Sequence, residues 1–149
     1  MDNRTDIHVL NDLITGVYDS IDGYRTAGEH TENPQFSDTF ITLGSGREEL
    51  VQSLKSEVLA LGGVPEDEGS LSAAAHRGFM RVREAVMSDS DKQVVAEVDR
   101  GEDHLKEQFL KALARDDLSP GARNAIQTAS NRIQADHVRI SEMRKMTRD

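Results

Sequence analysis

The sequence predicts an all-α fold, a four-helix bundle made of two antiparallel hairpins joined by one long crossover. Three observations carry that prediction. Apolar residues recur at spacings of three and four over long windows, the period of a helix with one buried face. Aromatics make up 4 % of the chain, with no Trp, while Ala, Leu, Glu, Arg and Asp abound, which suits helices better than sheets. The three prolines stand where helices would start or stop.

The first helix is expected over 6–29. Ile7, Leu10, Ile14, Val17, Ile21 and Tyr24 form its seam, which puts Asp12 and Asp19 on the opposite, solvent-facing side. Asn33-Pro34 reads as an N-cap followed by proline at the first helical position, opening a helix over 34–62. Its stripe is Phe36, Phe40, Leu43, Arg47, Leu50, Leu54 and Leu61. Beside it runs a line of small residues, Thr39, Gly46, Ser53 and Ala60, at which another helix of this chain or a second chain could approach closely. Gly44 and Gly46 cost roughly 1 kcal/mol each against Ala and mark a local bulge or a weak spot.

Gly62-Gly63-Val64-Pro65 stops the second helix. A polar loop to Ser70 follows, and a shorter helix fits 71–87. Ser90 with Gln93 resembles a capping box opening a helix over 90–115, with Val95, Val98, Glu102, Leu105, Phe109 and Ala112 inward. Ser119-Pro120 opens the last helix, 120–147, with Ala122, Ile126, Ala129, Ile133, Asp136, Ile140 and Met143 inward and His137 on the flank. The stretch from Gly62 to Ser90 is long enough to run the length of the bundle. That is the ferritin-like arrangement, with 1–149 as a single domain and the short extra helix on the crossover.

Composition removes several function classes. Lys plus Arg is 18 and Asp plus Glu is 27, a net charge of −9, which excludes gripping nucleic acid or an anionic membrane. The absence of Cys removes disulfides, thiolate metal sites and thiol nucleophiles. No apolar run approaches the roughly 20 residues that span a bilayer, and the first residues do not read as a secretory leader, so the cytoplasm is the expected compartment. No nucleophile elbow, calcium loop or phosphate-cradling motif is present, and no catalytic residue is assigned.

The informative residues are polar ones on inward stripes, because a buried charge is costly unless paired. Arg47 and Glu102 lie mid-helix on helices that would run parallel, and Asp136 and His137 fall about one turn from the level of Glu102. A cluster of Arg47, Glu102, Asp136 and His137 is therefore expected, read as a buried structural network. The competing reading is an iron or manganese site with ligands drawn from Glu49, Glu102, Gln134, Asp136 and His137. Against it, no Glu-x-x-His occurs, and the first helix puts Ile14, Val17 and Ile21 where a ligand would stand. An inward arginine would also supply the charge a metal otherwise supplies.

Other candidates are weaker. His8, His30 and His104 read as surface residues, and Glu29-His30 with Glu32 as a marginal cation site. His76 with Arg77, Arg81 and Arg83 reads as a solvated basic face or a contact for an acidic partner. Tyr18 and Tyr24 read as core rather than redox groups. Phe79 and Met80 are set either to cover the bundle end or to form a dimer contact.

Several segments together resemble a family of small bacterial four-helix-bundle proteins grouped as a ferritin-like domain of unknown function. They are Leu10-Asn11-Asp12-Leu13-Ile14, Gly23-Tyr24-Arg25-Thr26-Ala27, Leu61-Gly62-Gly63-Val64-Pro65-Glu66, Gly69-Ser70-Leu71, His76-Arg77, Arg100-Gly101-Glu102-Asp103 and Asp136-His137. Gly44-Ser45-Gly46 departs from the helix formers expected there. The resemblance implies the bundle fold and no particular chemistry. Two functions compete: a non-enzymatic bundle acting through self-association or an unknown protein partner, with no cofactor, and a ferritin-type iron or manganese oxidase or store using Glu102, Asp136 and His137.

Overall fold

The computed structural model describes residues 3–69, 82, 85 and 90–147. Four α-helices pack as a bundle: α1 (Arg4–His30), α2 (Pro34–Ala60), α3 (Asp91–Leu113) and α4 (Pro120–Met146). No strand occurs among the described residues. The expected helix at 71–87 lies outside the described residues, apart from Val82 and Ala85, which are helical and buried. No helix among the described residues is long and apolar enough to cross a membrane.

The helix ends follow from local chemistry. Asn33 Oδ1 accepts hydrogen bonds from the Gln35 and Phe36 N–H groups, with Pro34 first in α2. Ser119 Oγ accepts from Ala122 N ahead of Pro120, and Ser90 Oγ from Gln93 N. α2 ends in a Schellman turn: Gly62 has φ 85°, its N–H donates to Leu59 O (3.0 Å), and Gly63 N donates to Val58 O (2.9 Å).

Hydrogen bonds between ends fix the topology. The Asp91 carboxylate, at the start of α3, accepts from Glu32 N and Asn33 N in the α1–α2 turn (3.0 and 2.9 Å). At the other end Asp6 of α1 accepts from Ser119 N in the α3–α4 turn (3.0 Å), and Asn3 donates to Leu61 O (3.1 Å). α2 and α3 therefore run parallel across one diagonal of the bundle, with α1 and α4 on the other. Asn11 holds the chain after α2 against α1, donating to Val64 O and accepting from Glu66 N.

That segment explains one departure from the sequence reading. Asp19, expected in solvent, is buried, and Gly69 lies so close that a Cβ there would be 2.5 Å from its carboxylate. α1 is covered on its outer side as well as its seam, a contact that helical periodicity alone does not register. The glycines also behave more simply than expected. α2 is continuous through Gly44 and Gly46. Gly44 faces Tyr24, whose Cβ a side chain would meet at 3.1 Å, so it permits the close α1–α2 approach. Among the described residues no helix lies along the whole small-residue line: Ser53 and Ala60 are exposed, and Gly46 is crossed by the Arg132 guanidinium of α4. On the apolar stripe of α2, Val58 is buried where Leu61 is only partly so.

Among the described residues the apolar core falls into two clusters. One cluster fills the end containing Leu10, Ile14, Leu54, Phe109 and Ile126. The other fills the end containing Tyr24, Phe40, Val95 and Ile140. Between them lies a polar layer.

Candidate functional site

Each helix contributes to that layer at the level where its apolar stripe is interrupted. α2 passes from Leu43 to Leu50 through Arg47, α3 from Val98 to Leu105 through Glu102, and α4 from Ile133 to Ile140 past Asp136. Because α2 and α3 are parallel and diagonal, Arg47 and Glu102 meet at the bundle centre. Both side chains are fully buried.

Every nitrogen of the guanidinium donates a hydrogen bond. Nη1 donates to Glu102 Oε1 (2.8 Å) and to Ser20 Oγ (3.1 Å), Nη2 to Glu102 Oε2, and Nε to Asp136 Oδ2 (3.2 Å). The Glu102 contact is the fork-to-fork pairing that arginine geometry favours. Tyr24 closes one side, with its ring centroid 5.3 Å from the guanidinium carbon, and Phe40 packs on that ring. Burial alone would lower the pKa of Arg47, but the charges of Glu102 and Tyr24 and the hydrogen bond to Glu102 hold it above its ordinary value. Burial, the charge of Glu102 and a hydrogen bond to it push the Tyr24 phenol well above the usual range, against the pull of Arg47.

His137 does not join this layer. Its ring turns to α3, where Nε2 lies 2.9 Å from Asp99 Oδ1. Asp99 also accepts from Ser141 Oγ (3.3 Å) and Arg144 Nη1 (2.6 Å). Two polar groups therefore sit side by side on the α3–α4 contact, back to back at Asp136 and His137. Being adjacent in sequence, those two residues project about 100° apart around the helix, so one can reach the centre while the other cannot. The sequence reading missed Ser20, Asp99 and Arg144. Asp99 stands three residues before Glu102 and Arg144 seven after His137, spacings that share a helix face, so the signal was present.

The remaining metal-ligand candidates point elsewhere. Glu49 is 76 % exposed and pairs with Arg132 at 3.3 Å. Gln134 is exposed and donates to Ser130 Oγ. Both Glu102 oxygens are engaged by Arg47, and among the described residues no group of three or more His, Asp and Glu converges. This donor set does not fit a di-metal carboxylate centre. A cation already occupies the middle of the bundle, and it is a guanidinium.

The lesser candidates are peripheral. His8 pairs with Asp12 (3.4 Å) at an open cleft of about 380 Å³ that Arg4, Asn11 and Glu66 also line, away from the polar layer. His30 is exposed, with Nδ1 2.9 Å from Thr26 O, and His104 is partly buried. Tyr18 accepts a hydrogen bond from Lys55 Nζ (3.1 Å). His76, Arg77, Phe79, Met80, Arg81 and Arg83 lie outside the described residues.

A family model described as a domain of unknown function, DUF2383, matches residues 5–115. The match takes in Ser20, Tyr24, Arg47 and Glu102 and stops before α4, so Asp136 and His137 fall beyond it. No curated protein matches the chain.

Proposed function

We propose, on the premise that the chain belongs to this family of domains of unknown function, that it is a non-enzymatic cytoplasmic interaction module of ferritin-like architecture, acting through self-association or a protein partner. The observation that carries the reading is the buried Arg47–Glu102 pair. In the metal-carrying members of this architecture, carboxylates and histidines from facing helices project inward to hold ions. Here a guanidinium takes that place and consumes the carboxylate that a metal would need. The bundle centre then serves to set shape, and function falls to the surface.

Elemental analysis tests the first half of this reading. The protein would be expressed with iron and manganese supplements and dialysed without chelator. A content well below one metal per chain, with no change in melting temperature on adding iron, manganese or zinc, is the expected result. About two metals per chain would overturn it in favour of a ferritin-type site at Glu102, Asp136 and His137. Photo-crosslinking in cells, from probes on exposed helix positions, tests the second half. Adducts with a second copy or with another protein are expected, and recovery of the uncrosslinked chain alone would refute it.

A further inference from the structure

The polar layer divides into one cation and the groups that surround it. The cation, Arg47, comes from α2 alone. The surrounding groups come from the other three helices: Ser20 and Tyr24 on α1, Glu102 on α3 and Asp136 on α4. Two of them are held by contacts that do not involve Arg47. Ser20 Oγ donates its proton to Val17 O (2.6 Å) within α1, which leaves the oxygen to accept from Arg47 Nη1. Glu102 takes a further hydrogen bond from the Tyr24 phenol. Asp136 is the one member with some access to water, its side chain being 14 % exposed, so the layer reaches the surface at α4.

The arrangement selects a shape as well as a charge. Glu102 presents two oxygens to two nitrogens, while Ser20 and Asp136 accept from the edges that remain. Four acceptors are thus disposed around one three-nitrogen fork, and the Tyr24 ring lies 5.3 Å from its carbon, within reach of a cation–π contact. An ammonium is a point charge whose three donors leave one atom, so it cannot span this set. A divalent metal fits no better: magnesium and calcium take about six or more oxygens, and two carboxylates with one hydroxyl do not supply them. A neutral planar group of the same outline lacks the charge and turns a carbonyl oxygen towards acceptors.

We infer that α1, α3 and α4 form a receptor site for an alkylguanidinium group, and that the Arg47 side chain is its resident ligand, carried in by α2. The inference goes beyond the interaction-module reading, because it concerns how the bundle recognises its own helix and not what the surface meets. In the wild-type chain the site is full, since Arg47 and Glu102 are both wholly buried in it. Arg47→Ala keeps Cβ and removes two methylenes and the guanidinium, which are the heavy atoms of ethylguanidinium. That ion is therefore the ligand which the variant should take. Bare guanidinium leaves the space of two carbons unfilled, and butylguanidinium overfills it, so both should bind more weakly. Arg47→Lys keeps the charge without the fork and should not restore wild-type stability.

Thermal melts of the full chain carrying Arg47→Ala, followed by helical circular dichroism, test this. Ethylguanidinium is added up to about 50 mM, well below the molar range in which guanidinium denatures. It should raise the variant's melting temperature saturably, by about 3–6 °C at ~10-fold excess over its Kd. Wild type at the same ionic strength should not respond. Ethylammonium, ethylurea and manganese should give no comparable rise in the variant, and adding Glu102→Gln to it should abolish the response to ethylguanidinium. The absence of a saturable rise overturns the inference. So does an equal rise with ethylammonium, ethylurea or manganese, an equal rise in wild type, or a response that survives Glu102→Gln. If Arg47→Ala does not fold in buffer, the titration is run in sucrose, which favours the compact state. Recovery of helical signal with ethylguanidinium alone then supports the site, and no recovery overturns it.

Discussion

Arg47 and Glu102, 55 positions apart in the chain, face each other through two parallel hydrogen bonds at the crossing of the bundle diagonal, both fully shielded from solvent. Desolvating two charges is expensive, and their attraction offsets that cost only where the remaining donors and acceptors are also satisfied. Ser20 and Asp136 meet that condition by taking the guanidinium groups that Glu102 leaves. The pair therefore contributes less to net stability than its geometry suggests. It contributes more to selecting one register of α2 against α3, since sliding either helix by a turn would strand both charges in apolar surroundings.

Removing one partner should be far worse than removing both. Glu102→Ala leaves Arg47 buried with only Asp136 and Ser20, at an expected cost of about 3–5 kcal/mol. Replacing Arg47 and Glu102 together with Met and Leu should cost much less, and could leave the protein as stable as wild type. Urea unfolding of the three proteins makes the comparison. A single Glu102→Ala variant as stable as wild type would show that the pair is not what holds the layer together.

Tyr24 gives the layer an alkaline limit. Its phenol has a folded-state pKa above the ordinary value of 10.0. A group raised in this way contributes its full stabilisation below the unfolded pKa and loses it as pH rises towards the folded one. Stability should therefore fall above about pH 10 as the unfolded chain gains tyrosinate that the fold resists. In an absorbance titration of the phenols, Tyr24 should ionise only with loss of helical signal. Ionisation of Tyr24 with the helical signal intact would contradict its buried placement. Tyr24→Phe should flatten the alkaline decline.

Asp99 holds three donors from α4, so its loss should loosen one side of the α3–α4 hairpin. Asp99→Ala strands the inward edges of His137 and Arg144, both of which retain some access to water. The expected cost is about 1–2 kcal/mol, below that of Glu102→Ala. Thermal melts of the two variants side by side establish the order, and a larger loss for Asp99→Ala would reverse the assignment of the central layer.

Much of this was legible in the sequence for physical reasons. Proline at a first helical turn and Asn or Ser before it act locally, so Asn33-Pro34 and Ser119-Pro120 located helix starts without tertiary information. Arg47 and Glu102 stood out because each interrupts an apolar stripe, and parallel helices put mid-stripe residues at one level. His137 was misplaced because one position along a helix turns a side chain by about 100°, finer than a reading by levels can resolve. Asp19 was misplaced because what buries it is the segment near Gly69, distant in sequence and without periodicity of its own.

Gly62 makes the turn that starts the crossover, and its backbone conformation fixes the outcome of changing it. At φ 85° a side chain is strained even though nothing lies within 4 Å of where its Cβ would be. Gly62→Ala should therefore cost about 1 kcal/mol through the backbone alone. Gly62→Asn should recover part of that loss, since Asn tolerates the left-handed region. The opposite order, with Ala more stable than Asn, would mean the turn rearranges. That rearrangement would break the Gly63 N–H to Val58 O bond and shift the segment which Asn11 clasps against α1. Amide exchange at Gly63 separates the cases, because a retained Schellman turn keeps that N–H protected in the Asn variant.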